Sequence, residues 1–167
     1  MTTPNDMVRA MFAHHLWATE ALIDHLEGLP RERLDQAVPG TYGSIVATLT
    51  HLIDADSRYL LRIEDPSPPP PRAADREGIP LETLRAEVAE HRRKWDEALD
   101  RLERGELSAR IRAHPDYPDT DDAEGMLLLQ AIHHGNDHRT QICSTLGVLG
   151  EQVPELDGWE FWAHGRG

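Results

Sequence analysis

Residues 44–71, SIVATLTHLIDADSRYLLRIEDPSPPPP, join a helical pattern to a run of prolines. Apolar side chains recur every three or four residues from position 45 to position 63, which is the spacing of an amphipathic helix with one buried face. Ser44 is a suitable N-cap, and the helix must end before Pro66 because proline disfavours helical backbone at the residue that precedes it. The stretch predicts a helix over about 44–64 and then a stiff, extended connector.

Three further segments have helical spacing, over about 6–27, 80–104 and 122–147, and a tail over 151–167 follows them. Gly28 and Pro30 end the first segment, whose apolar positions are Met7, Ala10, Met11, His14, Trp17, Ala18, Ala21, Leu22 and Leu26. The pattern contains no long strand and no internal repeat, although a short strand pair is expected around residues 109–113. The sequence therefore predicts an all-α protein, a four-helix bundle that forms one domain over residues 1–167.

The connection between the second and third helices is unusually long for an antiparallel pair, at about 15 residues including the prolines. An extended proline stretch rises ~3.1 Å per residue, so this connector can travel the ~30 Å length of a 20-residue helix. We therefore expect a crossover, in which the second and third helices run parallel.

Composition excludes some functions. The 167 residues include 30 acidic and 17 basic ones, and a net charge of -13 repels nucleic-acid phosphates. The single cysteine, Cys143, cannot form an intrachain disulfide, no apolar run approaches the ~20 residues of a membrane span, and the first residues lack a secretion-signal pattern. We expect a reduced, cytoplasmic protein that binds neither nucleic acid nor membrane.

Residues 132–141, IHHGNDHRTQ, place three histidines on the fourth helix. A helix turns 100° per residue, so His134 and His138 lie 40° apart on the apolar face, whereas His133 points outward beside Asp137. Two imidazoles at positions i and i+4 are a common metal-chelating pair, although such pairs are also found as ordinary satisfied or exposed side chains. A third ligand would have to come from another helix. His51, beside the small residues Thr48 and Ala55, is a candidate, and a hydrogen-bonded role at the core edge stays open for it.

Other chemistry-bearing residues have simpler interpretations. We expect Arg139 to be a surface or interface cation, Tyr59 to be a core residue, and Asp137 to pair with His133 at the surface rather than to orient a ligand imidazole. Cys143 lies away from the paired histidines, so a nucleophilic role is not expected for it. The aromatic tail should dock on the bundle or on a partner subunit. Structural or surface positions are expected for the remaining histidines with no chelating spacing: His14, His15, His25, His91 and His114.

Three stretches together resemble the DinB and YfiT-like group of metal-binding four-helix proteins. They are His15-Leu16-Trp17-Ala18 with the Gly28-Leu29-Pro30 turn, Tyr42-Gly43-Ser44-Ile45 leading to Thr50-His51-Leu52-Ile53-Asp54-Ala55-Asp56, and the run from His134 to Ile142. The last is similar to the group's His-x-x-x-His-Arg-Gly-Gln-Ile, with Thr140 where relatives often have glycine. Some relatives replace one histidine of this pair by glutamate, and this chain keeps both.

The resemblance implies an up-down-down-up bundle and a metal site of His51, His134 and His138, with zinc or nickel as the expected ion. It further implies a metal-dependent transferase that adds mycothiol, bacillithiol or glutathione to a small electrophile, in a protein that can form a homodimer. A stress-associated metal-binding bundle without turnover is the alternative, and a metal-dependent hydrolase is a weaker one. No catalytic or thiol-binding residue is assigned.

Overall fold

The computed structural model describes residues 3–64, 76, 78–106 and 124–164. These residues form helices and no strand, so the fold is all-α as the sequence predicts. The helices are α1 (Pro4–Glu27), α2 (Arg31–Leu34), α3 (Ile45–Glu64), α4 (Leu81–Glu103), α5 (Glu124–Val148) and α6 (Gly158–His164). The proline run at 66–71 and the expected strand pair at 109–113 lie outside the described residues.

The four long helices match the four predicted segments to within about two residues at each end. Helix α1 begins two residues earlier than predicted, at Pro4, because Thr3 and Asp6 form a capping box, in which each side chain accepts a hydrogen bond from the backbone amide of the other residue. The short helices α2 and α6 are not predicted by the sequence pattern, since four to seven residues are too few to show a helical period.

Each long helix packs against two others. Helix α1 lies against α4 and α5, and α3 also lies against α4 and α5. The side chains between them form one apolar core, in which Phe12 of α1 packs on Trp95 of α4 with ring centroids 4.6 Å apart. This packing holds α3 and α5, the helices that carry the three candidate ligands, side by side.

The predicted buried face of α1 is partly wrong. Met7 and Met11 are 61% and 46% exposed, whereas Phe12, Leu16 and Ile23 are buried. The spacing of Met7 and Met11 indicates a core face, but that face turns to solvent because α1 presents Phe12 and Leu16 to its neighbours instead. Two adjacent apolar rows occur on this helix, and only the packing of α4 and α5 decides between them.

The tail returns to α1. Phe161 of α6 lies with its ring centroid 5.6 Å from that of His14 and 5.4 Å from that of Trp17. The His14 Nε2 atom also hydrogen-bonds the Leu156 carbonyl at 2.8 Å. Trp159 and Trp162, by contrast, are 81% and 62% exposed. Phe161 and the Leu156 carbonyl thus both contribute to the docking of the tail on α1.

Among the described helices, none is long and apolar enough to cross a membrane.

Candidate metal centre

The structure brings together the three histidines that the sequence singles out. His51 on α3 faces His134 on α5, with 3.1 Å between their Nε2 atoms, and His138 Nε2 lies 3.1 Å from His134 Nε2. One nitrogen of each ring falls within a cluster in which all three atoms lie within 4.8 Å of one another. His51 and His134 are 83 positions apart in the sequence, and the packing of α3 on α5 brings them into contact.

These distances fit one metal ion. Ligand nitrogens about 2.0–2.1 Å from a divalent ion, at angles between octahedral and tetrahedral, lie about 2.9–3.4 Å apart. The two Nε2 separations of 3.1 Å fall inside that range. Two imidazole nitrogens at this distance can share a single proton, but three converging ones have too few donors to satisfy each other. A cation is the partner that satisfies all three at once.

Burial keeps the His134 and His138 imidazoles ready to bind a metal ion. Burial, and then the neighbouring His138, lower the pKa of His134 to about 4. Burial also lowers the pKa of His138, against a smaller opposing effect of a hydrogen bond with Gln141. A metal binds only the deprotonated ring, so a lowered pKa removes the competition with protons near neutral pH.

Two tyrosines flank the three rings. Tyr42 stacks on His51 with ring centroids 4.0 Å apart, and its backbone N–H donates to Gln141 at 2.8 Å. On the other side, the Tyr59 ring meets His134 edge-on at 6.0 Å, and burial raises the pKa of its phenol. Tyr42 is 50% exposed, while His51 and His134 are half-buried. The cluster is therefore reachable from solvent along the Tyr42 side, as a site with open coordination positions requires.

The outward pair on α5 is located as helical geometry predicts. His133 and Asp137 are both exposed, one turn apart on the solvent side of the helix. Neither belongs to the three-histidine cluster.

Arg139 corrects the sequence-based interpretation, which put it at the surface. It is 4% exposed, and burial lowers its pKa to about 10. Its Nη1 donates to Thr19 Oγ1 at 2.9 Å and to His15 Nδ1 at 3.1 Å, and Nη2 donates to Asn136 at 2.7 Å. The error has a physical cause: α5 packs on both α1 and α3, so its buried arc is wide enough to include a residue 100° from the ligand face.

A buried pair of His15 and Asp56 is a second feature that sequence reasoning missed. His15 Nε2 lies 2.7 Å from Asp56 Oδ2, and the two residues are 1% and 3% exposed. Asp56 occupies a position of α3 that the apolar spacing assigns to the core, and a charged residue at such a position was the available signal.

Two other predictions concern residues away from the cluster. His91 is buried on α4 and lies 2.7 Å from Ser57 Oγ, a structural role of the expected kind. Cys143 is half-buried, and burial raises the pKa of its thiol, which disfavours the thiolate. It lines a groove of about 470 Å³ between α5 and residues 153–157, apart from the three histidines.

Comparison with known families finds a match. The family model described as the DinB superfamily matches residues 14–142, a span that contains His51, His134 and His138. No curated protein matches the chain.

Proposed function

The chain belongs to the DinB superfamily, and from this premise we propose that its function depends on one divalent metal ion bound by His51, His134 and His138. The observation that carries the proposal is the convergence of the three imidazoles, with two Nε2 separations of 3.1 Å. Imidazole ligands suit zinc, nickel, copper and iron alike, and zinc or nickel is the proposed ion because the family resemblance implies it.

The donor set favours catalysis over a purely structural role for the ion. Three protein ligands leave at least one coordination position for water or substrate, whereas structural zinc sites are closed by four. Imidazole ligands are neutral, so they leave the charge of the ion undiminished. An ion bound in this way supplies a Lewis acid that stabilises a thiolate or lowers the pKa of a water molecule.

We propose that the reaction is transfer of a low-molecular-weight thiol, such as mycothiol, bacillithiol or glutathione, to a small electrophile. In this reaction the thiol gives its proton to water, its sulfur forms a bond to the electrophilic carbon, and the leaving group departs with the electron pair of the bond that breaks. The three histidines would hold the ion that binds the sulfur, and Tyr42, stacked on His51, lies beside them. The geometry of the histidines supports activation of water equally well, and the choice of a thiol rests on the resemblance.

The arrangement of the helices supports the up-down-down-up topology that we propose for the bundle. On α1 and α4 the contacts run in opposite directions, since Arg9 pairs with Glu103 while Asp24 pairs with Arg85. On α3 and α4 the contacts run in the same direction, since Ser57 contacts His91 and, farther along both helices, the Ile63 carbonyl accepts from Arg101. On α3 and α5 the contacts again run in opposite directions, since His51 contacts His138 while Tyr59 contacts His134. A crossover between α3 and α4 follows from this proposal.

The rest of the proposal carries over from the sequence: a single domain over residues 1–167, a small-molecule substrate, a cytoplasmic location and a homodimer.

The test of the transferase is a conjugation assay. Protein loaded with zinc or with nickel is mixed with monochlorobimane and, in turn, mycothiol, bacillithiol or glutathione, and the fluorescent conjugate is followed with time. We expect one thiol to be conjugated, with the rate lost on chelation and restored by the metal. His133→Ala should keep this rate, because His133 is exposed, and His138→Ala should lose it.

A bound metal without conjugation of any thiol would contradict the transferase and leave a metal-binding bundle. Metal-dependent hydrolysis of ester or amide substrates by the same protein would point to the hydrolase instead.

A further inference from the structure

Three buried polar residues form a hydrogen-bonded network beside the three histidines. It runs from Asp56 on α3 to His15 on α1 and from there to Arg139 on α5. The exposed fractions of these residues are 3%, 1% and 4%. This network therefore links α1 to the two helices that carry the metal-binding histidines.

The hydrogen bonds fix the protonation of His15. Arg139 can only donate, so the Nδ1 atom of His15, 3.1 Å from Arg139 Nη1, must be the acceptor. The proton of a neutral His15 then lies on Nε2, from which it donates to Asp56 Oδ2 at 2.7 Å. Asp56 is thereby held as an acceptor, with its Oδ2 atom bound to His15.

Two buried polar atoms in or near this network lack a hydrogen-bond partner among the described residues. One is Asp56 Oδ1, an acceptor, and another is His134 Nδ1. If His134 Nε2 binds the ion, its Nδ1 must carry the ring proton and become a donor. The geometry places the two atoms in the same region, because the His15 ring that contacts Asp56 also lies against Gly135, the residue next to His134, where an added Cβ would be 2.5 Å from His15 Nδ1. A buried acceptor and a buried donor in the same region each cost free energy if left unpaired.

We propose that Asp56 is a positioning residue of the metal centre, whose Oδ1 atom accepts the Nδ1–H of His134 through one water molecule while His15 holds Oδ2. The inference rests on the proposed metal site and adds to it a residue outside the ligand set.

This hydrogen bond gives Asp56 two effects on the centre. It selects the His134 tautomer whose Nε2 lone pair faces the ion, and it makes that nitrogen more basic. Asp56 lies on α3, the helix of His51, and acts on a ligand of α5. The interaction therefore couples the two helices at the point where their ligands meet.

The test is the zinc affinity of Asp56→Asn, measured by competition with a chromophoric chelator. Asparagine keeps the shape of the side chain but replaces one acceptor oxygen by a donor amide, so it cannot accept from His15 and from His134 together. We expect affinity to fall about 10–100-fold. The absorption spectrum of the cobalt-substituted protein should change as well, because the coordination geometry around His134 relaxes.

The matched control is His91→Gln, which disturbs another buried contact of α3, that with Ser57, without touching the three histidines. It should lower stability in urea while leaving the zinc affinity and the cobalt spectrum close to wild type. Loss of stability alone thus cannot imitate the effect expected of Asp56→Asn.

A second measurement needs no variant. In the nitrogen–proton spectrum of the zinc-loaded wild-type protein, His134 should carry its proton on Nδ1, and that proton should exchange slowly with water. An Asp56→Asn affinity within twofold of wild type, or a rapidly exchanging His134 proton, overturns the inference while the metal site stands. Failure of the wild-type protein to bind zinc or nickel overturns the proposed function itself, and this inference with it.

Discussion

At the scale of single residues, Gly135 has a role that its position between the two ligands of α5 makes testable. A Cβ atom at this position would lie 2.5 Å from His15 Nδ1, nearer than real Cβ contacts allow. The His15 ring cannot move away, because Asp56 and Arg139 hold it on both nitrogens. We expect Gly135→Ala to lower the free energy of unfolding by about 1–3 kcal/mol through overpacking, measured in urea on the metal-free protein.

Gly147→Ala is the control, since it is the same change on the same helix. There the added Cβ would meet Val153 Cγ2 at an ordinary 3.7 Å. Alanine favours a helix over glycine by up to about 1 kcal/mol, so this variant should be as stable as wild type or more stable. Equal stability of the two variants would contradict the close approach of His15 to α5.

The sequence could locate only those site residues whose helical spacing indicates that they share a face. His134 and His138 follow from the period of one helix. His51 was only a candidate from its small neighbours and became a predicted ligand through the family resemblance. No spacing within one helix can predict contacts between residues of three different helices, and this is the case for His15, Asp56 and Arg139. Their signal was weaker: polar residues at positions where the apolar pattern expects a core side chain.

At the scale of the helices, the pattern of apolar residues was sufficient for the long elements and insufficient for the short ones. Helices α3 and α4 bury the positions that their spacing indicates, among them Leu49, Leu52, Val88 and Trp95. Helix α1 has two competing apolar rows, and the choice between them depends on its neighbours. The segments α2 and α6 form in the context of the packed helices, which no local period can predict.

Ion pairs between α1 and α4 stabilise the packing of these two helices less than their apolar core contacts do. Arg85 contacts Asp24 and Glu27, and Arg92 contacts Glu20 at 2.7 Å, all with substantially exposed side chains. Exposed pairs of this kind contribute about 0–1 kcal/mol each. Phe12 and Trp95, both buried, meet beneath them. Burial of these aromatic rings stabilises the helix pair more than the ion pairs do, and the charges along the rim favour one register of the two helices.

At the scale of the whole molecule, the buried histidines make the stability of the metal-free protein depend on pH. Burial lowers the pKa of His134 to about 4 from its ordinary value of 6.5, and lowers the pKa values of His14, His91 and His138 as well. Below about pH 6.5 the unfolded chain binds protons that the folded chain does not, so stability falls as the pH falls. The contribution of His134 to this loss extends down to about pH 4. Urea midpoints of the metal-free protein should therefore decrease between pH 7 and pH 4.

The variant His134→Gln isolates one part of this effect. Without a titrating group at position 134, the urea midpoint should decrease less steeply with falling pH than in wild type. His133→Gln, at an exposed position, should follow the wild-type curve. A His134→Gln curve parallel to that of wild type would show that burial does not suppress protonation of the His134 ring.

The most direct test of the central claim, that His51, His134 and His138 bind one metal ion, is the metal content of purified variants. The wild-type protein, saturated with zinc and freed of excess metal, should retain one ion per chain by elemental analysis. His51→Ala, His134→Ala and His138→Ala should each retain far less, and His133→Ala should retain as much as wild type. Full metal content in any of the three ligand variants, or its loss in His133→Ala, would contradict the account.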